Sequence, residues 1–182
     1  MESDDDAQLL QRFRTGDREA FTELVIRYRK PIYNAAFWIL RKAEDASDVT
    51  QTVFLKVVER LDDYDPQYKF FSWIYRITVN ESLNLQRRNG HDDELDDDME
   101  FEAPQSSTPE RQLGAIELSR RVQDALMHMS TNDRMVLTLR HFSECSYEEI
   151  AQVLEIDVKT VKSRLFDARK RLGVLLAELR VH

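Results

Sequence analysis

Apolar residues recur at three- and four-residue intervals along almost all of this chain, so the pattern predicts an all-α protein. A short helix carries Leu9, Leu10 and Phe13 and ends near Thr15-Gly16. Asp17 is placed to cap a long helix whose apolar set is Phe21, Leu24, Val25, Tyr28, Ile32, Ala35, Ala36 and Ile39. Pro31 interrupts that series and is expected to bend the helix or weaken one turn. A third helix, about Ala46 to Leu61, puts Val49, Val53, Val57 and Leu61 on one side, and a loop from Asp62 to Gln67 leads to a fourth, about Lys69 to Arg88. Further helices are predicted over about Pro109 to Met127 and Asn132 to Phe142.

The last segment, SYEEIAQVLEIDVKTVKSRLFDARKRL, reads as two helices joined by a tight turn. Ser146 and Glu149 have the spacing of a capping box. Ile150, Ala151 and Leu154 form one apolar face, Glu155-Ile156-Asp157 the turn, and Asp157 can cap the second helix. That helix turns Val161, Leu165, Ala168 and Leu172 inward, and it can continue as far as Arg180. Outward it shows Lys159, Lys162, Ser163, Phe166 and Lys170. A short braced helix presenting cations and one aromatic fits a helix-turn-helix entering a major groove. The bland alternative is an amphipathic hairpin with a solvated charged face.

Charge changes this picture only when it is resolved along the chain. The net charge of −8 is unusual for a nucleic-acid binder. Residues 1–90 carry 14 Lys+Arg against 15 Asp+Glu, residues 91–112 carry 1 against 9, and residues 113–182 carry 11 against 10. The whole excess therefore lies in the middle segment, and local clustering decides binding. That segment contains HDDELDDDMEFEAPQSSTPE, whose like charges repel and which has little to bury, so it is expected to be a flexible linker. The expected organisation is a helical domain over 1–90, an acidic linker over 91–112 and a helix-turn-helix domain over 113–182.

Residues 64–75 hold six of the seventeen aromatics: Tyr64, Tyr68, Phe70, Phe71, Trp73 and Tyr75. One helix face cannot bury all of them, so some are expected to be exposed or to line a pocket. Beside Lys69 and Arg76 they suit stacking on unpaired bases, worth about 1–3 kcal/mol per base. Ser72, Arg76, Asn80 and Asn84 follow at four-residue intervals as a stripe of donors able to track a strand. Ordinary core aromatics beside a solvated face would show the same pattern.

Four segments taken together resemble the bacterial sigma-70 family, in particular the small two-domain extracytoplasmic-function (ECF) sigma factors. They are EDASDVTQTVFLKV (Glu44–Val57), FFSWIYRITVN (Phe70–Asn80), the acidic variable linker, and the helix-turn-helix. The resemblance implies a sigma region 2 four-helix domain that binds core RNA polymerase at the β′ clamp helices and opens the −10 element. It implies a region 4 domain at the β flap that reads the −35 element of promoter DNA as duplex. On this sequence Asp45, Asp48, Gln51, Thr52, Phe54 and Leu55 fall in the polymerase-binding helix. Tyr64, Lys69 and Phe70 fall in the base-capturing segment, and Trp73, Arg76, Asn80 and Asn84 in the strand-contacting helix. Arg140, Lys159, Thr160, Lys162, Ser163 and Phe166 match the −35 readers or phosphate contacts.

Two features depart from the family pattern. Asp167 stands where a basic residue is common, which implies a different −35 preference, since a carboxylate accepts from cytosine N4 and repels phosphate. Ser47 and Thr52 stand where Glu is usual, which weakens docking on a basic clamp surface. Phosphorylation would restore about −1.5 to −2 charges at each. The chain thus resembles a branch switched on by a Ser/Thr kinase rather than freed from an anti-sigma factor, with Thr52 the leading acceptor and Thr50 and Ser47 the alternatives.

The runner-up is a conventional helix-turn-helix regulator acting on duplex DNA without polymerase. A catalytic role is not expected: there is no Gly-rich phosphate loop and no nucleophile set. Neither cofactor nor metal is expected, because Cys145 is a lone cysteine and His91, His128, His141 and His182 have no ligand spacing. With no signal peptide and no long apolar run, the expectation is a soluble cytoplasmic monomer.

Overall fold

Side-chain caps at Asp5, Asp17, Ser146 and Asp157 set the starts of four helices, and apolar rows set how the helices pack. In the structure, a computed structural model, residues 5–89, 120–141 and 143–178 are described. The linker expected over 91–112 lies outside them, as do the start of the helix expected from Pro109, Phe142 and the tail beyond Glu178. All regular structure among the described residues is helical. None of these helices is long and apolar enough to cross a membrane.

Helix α1 (Asp6–Arg14) is capped by Asp5, and α2 (Arg18–Leu40) by Asp17, which accepts from the Glu19 and Ala20 N–H groups. Arg12 donates to the same Asp17 carboxylate at 2.9 Å. Its side-chain hydrogen bond holds that carboxyl below its usual pKa. Helix α2 runs through Pro31 without interruption. The expected weak turn is carried by packing, since Tyr28, Ile32, Ala35 and Ala36 on either side are buried. Helix α2 ends on Arg41 in the left-handed region, at φ 63°.

Helix α3 (Ala43–Glu59) starts three residues earlier than its apolar spacing suggests and buries Ala46, Val49, Val53 and Val57. Leu61 joins the core from a single 3-10 turn, Leu61–Asp63. Helix α4 (Phe70–Arg88) packs on α2 and α3. The described part of α5 spans 120–127. It is followed by α6 (Thr131–His141), α7 (Tyr147–Leu154) and α8 (Val158–Glu178).

The two halves pack against each other. Helix α6 lies against α2, and α7 against α4, so one continuous core runs from Leu9 to Ala168. This explains why the first half of α4 is largely covered, with Ile74 and Tyr75 fully buried and Ile77 and Val79 almost so.

Candidate nucleic-acid interface

The helix-turn-helix is built by reciprocal caps. The Ser146 hydroxyl accepts from the Glu149 N–H at 3.1 Å, and Glu149 Oε2 accepts from the Ser146 N–H at 2.7 Å. Glu155 turns the chain at φ 53°. Asp157 then accepts from the Thr160 N–H at 2.7 Å and the Thr160 hydroxyl at 2.8 Å. These bonds hold its carboxyl below the usual range. Val161, Leu165 and Ala168 are buried, which leaves Lys159, Lys162, Ser163, Phe166 and Lys170 on the open side of α8. Phe166 is 69% exposed. Asp167 is exposed beside it.

Three arginines near α8 act as braces. Arg171 donates twice to Asp133 on α6, at 2.8 and 2.7 Å, and fixes the tilt of α8. Arg169 lies 3.3 Å from His141 Nε2. Burial, with the charges of Arg169 and Arg140, holds the His141 pKa down. Arg140, expected on the −35 surface, is instead half-buried. It donates to the Cys145 carbonyl at 2.7 Å and sits 5.1 Å from the centre of the Tyr147 ring. It braces the α6–α7 connection, and Lys162 of α8 sits over the same ring at 5.7 Å. Thr160 spends its hydroxyl on the cap and is half-buried.

The first half presents a cleft of about 240 Å³ lined by Asp63, Tyr64, Asp65, Tyr68, Ser72, Trp73, Arg76 and Gln152. The Tyr64 hydroxyl donates to the Tyr68 carbonyl at 2.6 Å and so closes the loop on itself. Burial raises the Tyr64 pKa, with the Asp6 charge adding to it. The Tyr64 and Trp73 rings lie 5.4 Å apart. The expectation that some of the aromatic cluster is exposed or lines a pocket is met by Tyr68, which is 52% exposed, and by the cleft walls. Phe70 needs a correction. It is 2% exposed and wedged among Tyr28, Tyr64 and Trp73, with centroids at 5.4, 5.8 and 5.8 Å, so it supports the cleft and cannot receive a base.

The donor stripe of α4 is divided. Asn80 and Asn84 are exposed. Ser72 is 4% exposed, and its hydroxyl has no hydrogen-bond partner although it borders the cleft. Arg76 is half-buried, 3.7 Å from Glu155 of the helix-turn-helix. Lys69, just before α4, pairs with Glu149 at 2.6 Å. Burial works to raise the Glu149 pKa, but its bonds to Lys69 and the Ser146 N–H hold it below the usual value.

Helix α3 turns Asp48, Gln51 and Leu55 outward, Leu55 being 63% exposed. Asp45 is half-buried and accepts from Asn89 at 3.2 Å. Phe54 is half-buried, edge-on to Phe21 at 6.2 Å. Among the candidate acceptors Ser47 is exposed, and Thr52 is half-buried with its hydroxyl donating to the Asp48 carbonyl at 2.9 Å. Thr50 is corrected out of that set: it is 7% exposed and its hydroxyl donates to the Ala46 carbonyl, on the face that packs into the core.

Sequence reasoning missed Arg134. It is 2% exposed and donates to the Trp38 carbonyl at 2.6 Å, the Ile39 carbonyl at 3.4 Å and the Met129 carbonyl at 2.6 Å. Its one local signal is a charge beside an apolar run, Met135 to Leu137, in a helix without a clean polar side.

Comparison with known proteins places these features in a family. Residues 24–91 match the sigma-70 region 2 model, and residues 119–172 match the sigma-70, region 4 model. The chain is 33% identical to the RNA polymerase sigma-H factor of Pseudomonas aeruginosa, over 96% of this chain and 95% of that one. It is 32% identical to the ECF RNA polymerase sigma-E factor of Escherichia coli strain K12, over 92% of each. Among solved structures, CnrH in complex with the cytosolic domain of CnrY superposes with a TM-score of 0.70 at 27% identity, covering 96% of this chain and 99% of that chain.

Proposed function

We propose a function from the premise that this chain belongs to the sigma-70 family, as an ECF sigma factor. It is an RNA polymerase sigma factor that confers promoter-specific initiation. Our finer reading assigns residues 1–90 to core polymerase and the −10 element, 91–112 to the linker, and 113–182 to the −35 element. Core polymerase docks on the outward row of α3, Asp48, Gln51 and Leu55, with Phe54 behind it. Lys159, Lys162, Ser163 and Phe166 read or grip the −35 duplex. Tyr64, Tyr68 and Trp73 take an extruded base of the −10 element, whose unstacking costs a few kcal/mol that the cleft returns.

The observation that carries this reading is the cleft of about 240 Å³ walled by Tyr64, Tyr68 and Trp73 beside Arg76, whose aromatic surface suits a stacked base. The cleft also separates this reading from a conventional duplex-binding regulator, which has no use for it.

We further propose that negative charge added to α3 strengthens polymerase docking. Thr52 stays the leading acceptor and Ser47 the alternative; a kinase reaches Thr52 once its bond to the Asp48 carbonyl opens. A Thr52→Glu chain is expected to bind core polymerase several-fold more tightly than the unmodified chain. Control by an anti-sigma factor alone predicts equal affinities.

The deciding experiment is transcription by core RNA polymerase programmed with this chain on a duplex promoter and on a fork-junction template of the same promoter. Rescue by the pre-melted template is expected, together with its loss in Trp73→Ala. Failure to initiate on either template, with Thr52→Glu installed, overturns the assignment.

A further inference from the structure

The open side of α8 carries one anion among its cations. Ser163, Phe166, Asp167 and Lys170 follow one another at the three- and four-residue steps that share a helix face, and all four are exposed. Lys159 and Lys162 lie one turn before Ser163 and Phe166. Asp167 has cations at pairing distance along its own helix: Arg164 three residues before, Lys170 three after and Arg171 four after. Among the described residues it forms no ion pair with any of them. Arg171 is engaged elsewhere, donating to Asp133 of α6 at 2.8 and 2.7 Å. Asp167 acts on it only through space. The carboxylate is therefore left to water, on the same exposed face as Phe166.

A major groove changes the surroundings of that carboxylate. It brings phosphates, which repel the anion, and it removes water, so entry is costly unless the groove returns hydrogen-bond donors. Two bases show an amino donor there, adenine at N6 and cytosine at N4. Adenine sets its N7 acceptor beside the donor, where a second carboxylate oxygen would meet a lone pair. Cytosine shows the donor alone. Guanine shows two acceptors, and thymine an acceptor and a methyl group. Resting on the assignment of α8 to the −35 duplex, we propose that Asp167 is a specificity-determining residue that selects cytosine at its contact position by accepting from N4, and rejects guanine there. Lys159, Lys162 and Lys170 hold phosphates around it and offset its repulsion. The cations set the affinity, and the anion among them sets the choice of base.

The test uses the full chain assembled with core RNA polymerase. Fork-junction templates with a randomised upstream duplex are mixed with the holoenzyme, and the retained templates are sequenced. Wild type is compared with Asp167→Ala, Asp167→Asn and Asp167→Arg. Asp167 is exposed and holds no other side chain among the described residues, so these variants keep the fold, which circular dichroism checks. Lys162→Ala serves as a control that removes a cation and keeps the carboxylate.

Wild type is expected to enrich cytosine over guanine about tenfold at one upstream position. Asp167→Ala should lose that preference. Asp167→Asn should move it to adenine, whose N6 and N7 match an amide, and Asp167→Arg to guanine, whose O6 and N7 match a guanidinium. Lys162→Ala should lower retention and keep the cytosine. The same base profile in wild type and all three Asp167 variants, with retention alone changed, overturns the role of Asp167. A wild-type preference for another base at the position that responds overturns the choice of cytosine. Enrichment of no upstream sequence by any chain instead overturns the assignment of α8 to duplex DNA, and the selection with it.

Discussion

At the scale of single residues, burial decides which chemistry is available. Cys145 is 1% exposed, and burial pushes its thiol up to about 12. The thiolate is the reactive form, so Cys145 should resist Ellman's reagent at pH 8 in the native chain and react fully in denaturant. Rapid native labelling would contradict that placement. Leu24 of α2 is fully buried, and Leu24→Ala should cost about 2–5 kcal/mol in a urea titration. Glu149 gives a pH dependence. Its carboxyl is held below the unfolded value of 4.5, so its contribution to stability is complete above that pH. It is lost as the pH falls through the lower native pKa. Acid should therefore loosen the Lys69–Glu149 contact, and Glu149→Gln should flatten this part of a stability–pH curve.

At the scale of elements, the local rules were read well where they act locally. The capping box at Ser146, the turn at Glu155 and the cap at Asp157 all depend on groups within five residues of each other, and each formed. Ser146→Ala should lower stability by about 1 kcal/mol, measured as a lower denaturant midpoint with an unchanged slope. Pro31 shows where a local rule gives way. A missing N–H weakens one turn, but four buried side chains nearby keep the helix unbroken. Arg140 and Phe70 both belong to functional spacings, and their side chains are held by neighbours that leave no periodic signal. Thr50 and Thr52 sit two apart on α3, and only packing reveals that one is inside and the other at the edge.

For the whole molecule, the fold class could be read from the chain, and the packing of its two halves on each other could not. Lys69–Glu149 joins residues 80 apart, and Arg134 reaches carbonyls 95 and 96 positions earlier. Periodicity and capping carry no information at that range. The acidic stretch leaves the arrangement of the two halves open, and the contacts of α6 with α2 and of α7 with α4 are what set it.

The sunken Arg134 guanidinium has a thermodynamic consequence. If the first half came undone while the second stayed intact, the guanidinium would keep the Met129 carbonyl and lose those of Trp38 and Ile39, and the last turn of α2 would lose its cation. Partly undone forms are thereby disfavoured. Scanning calorimetry should trace one sharp endotherm for the intact chain, and two overlapping ones once Arg134→Met uncouples the halves.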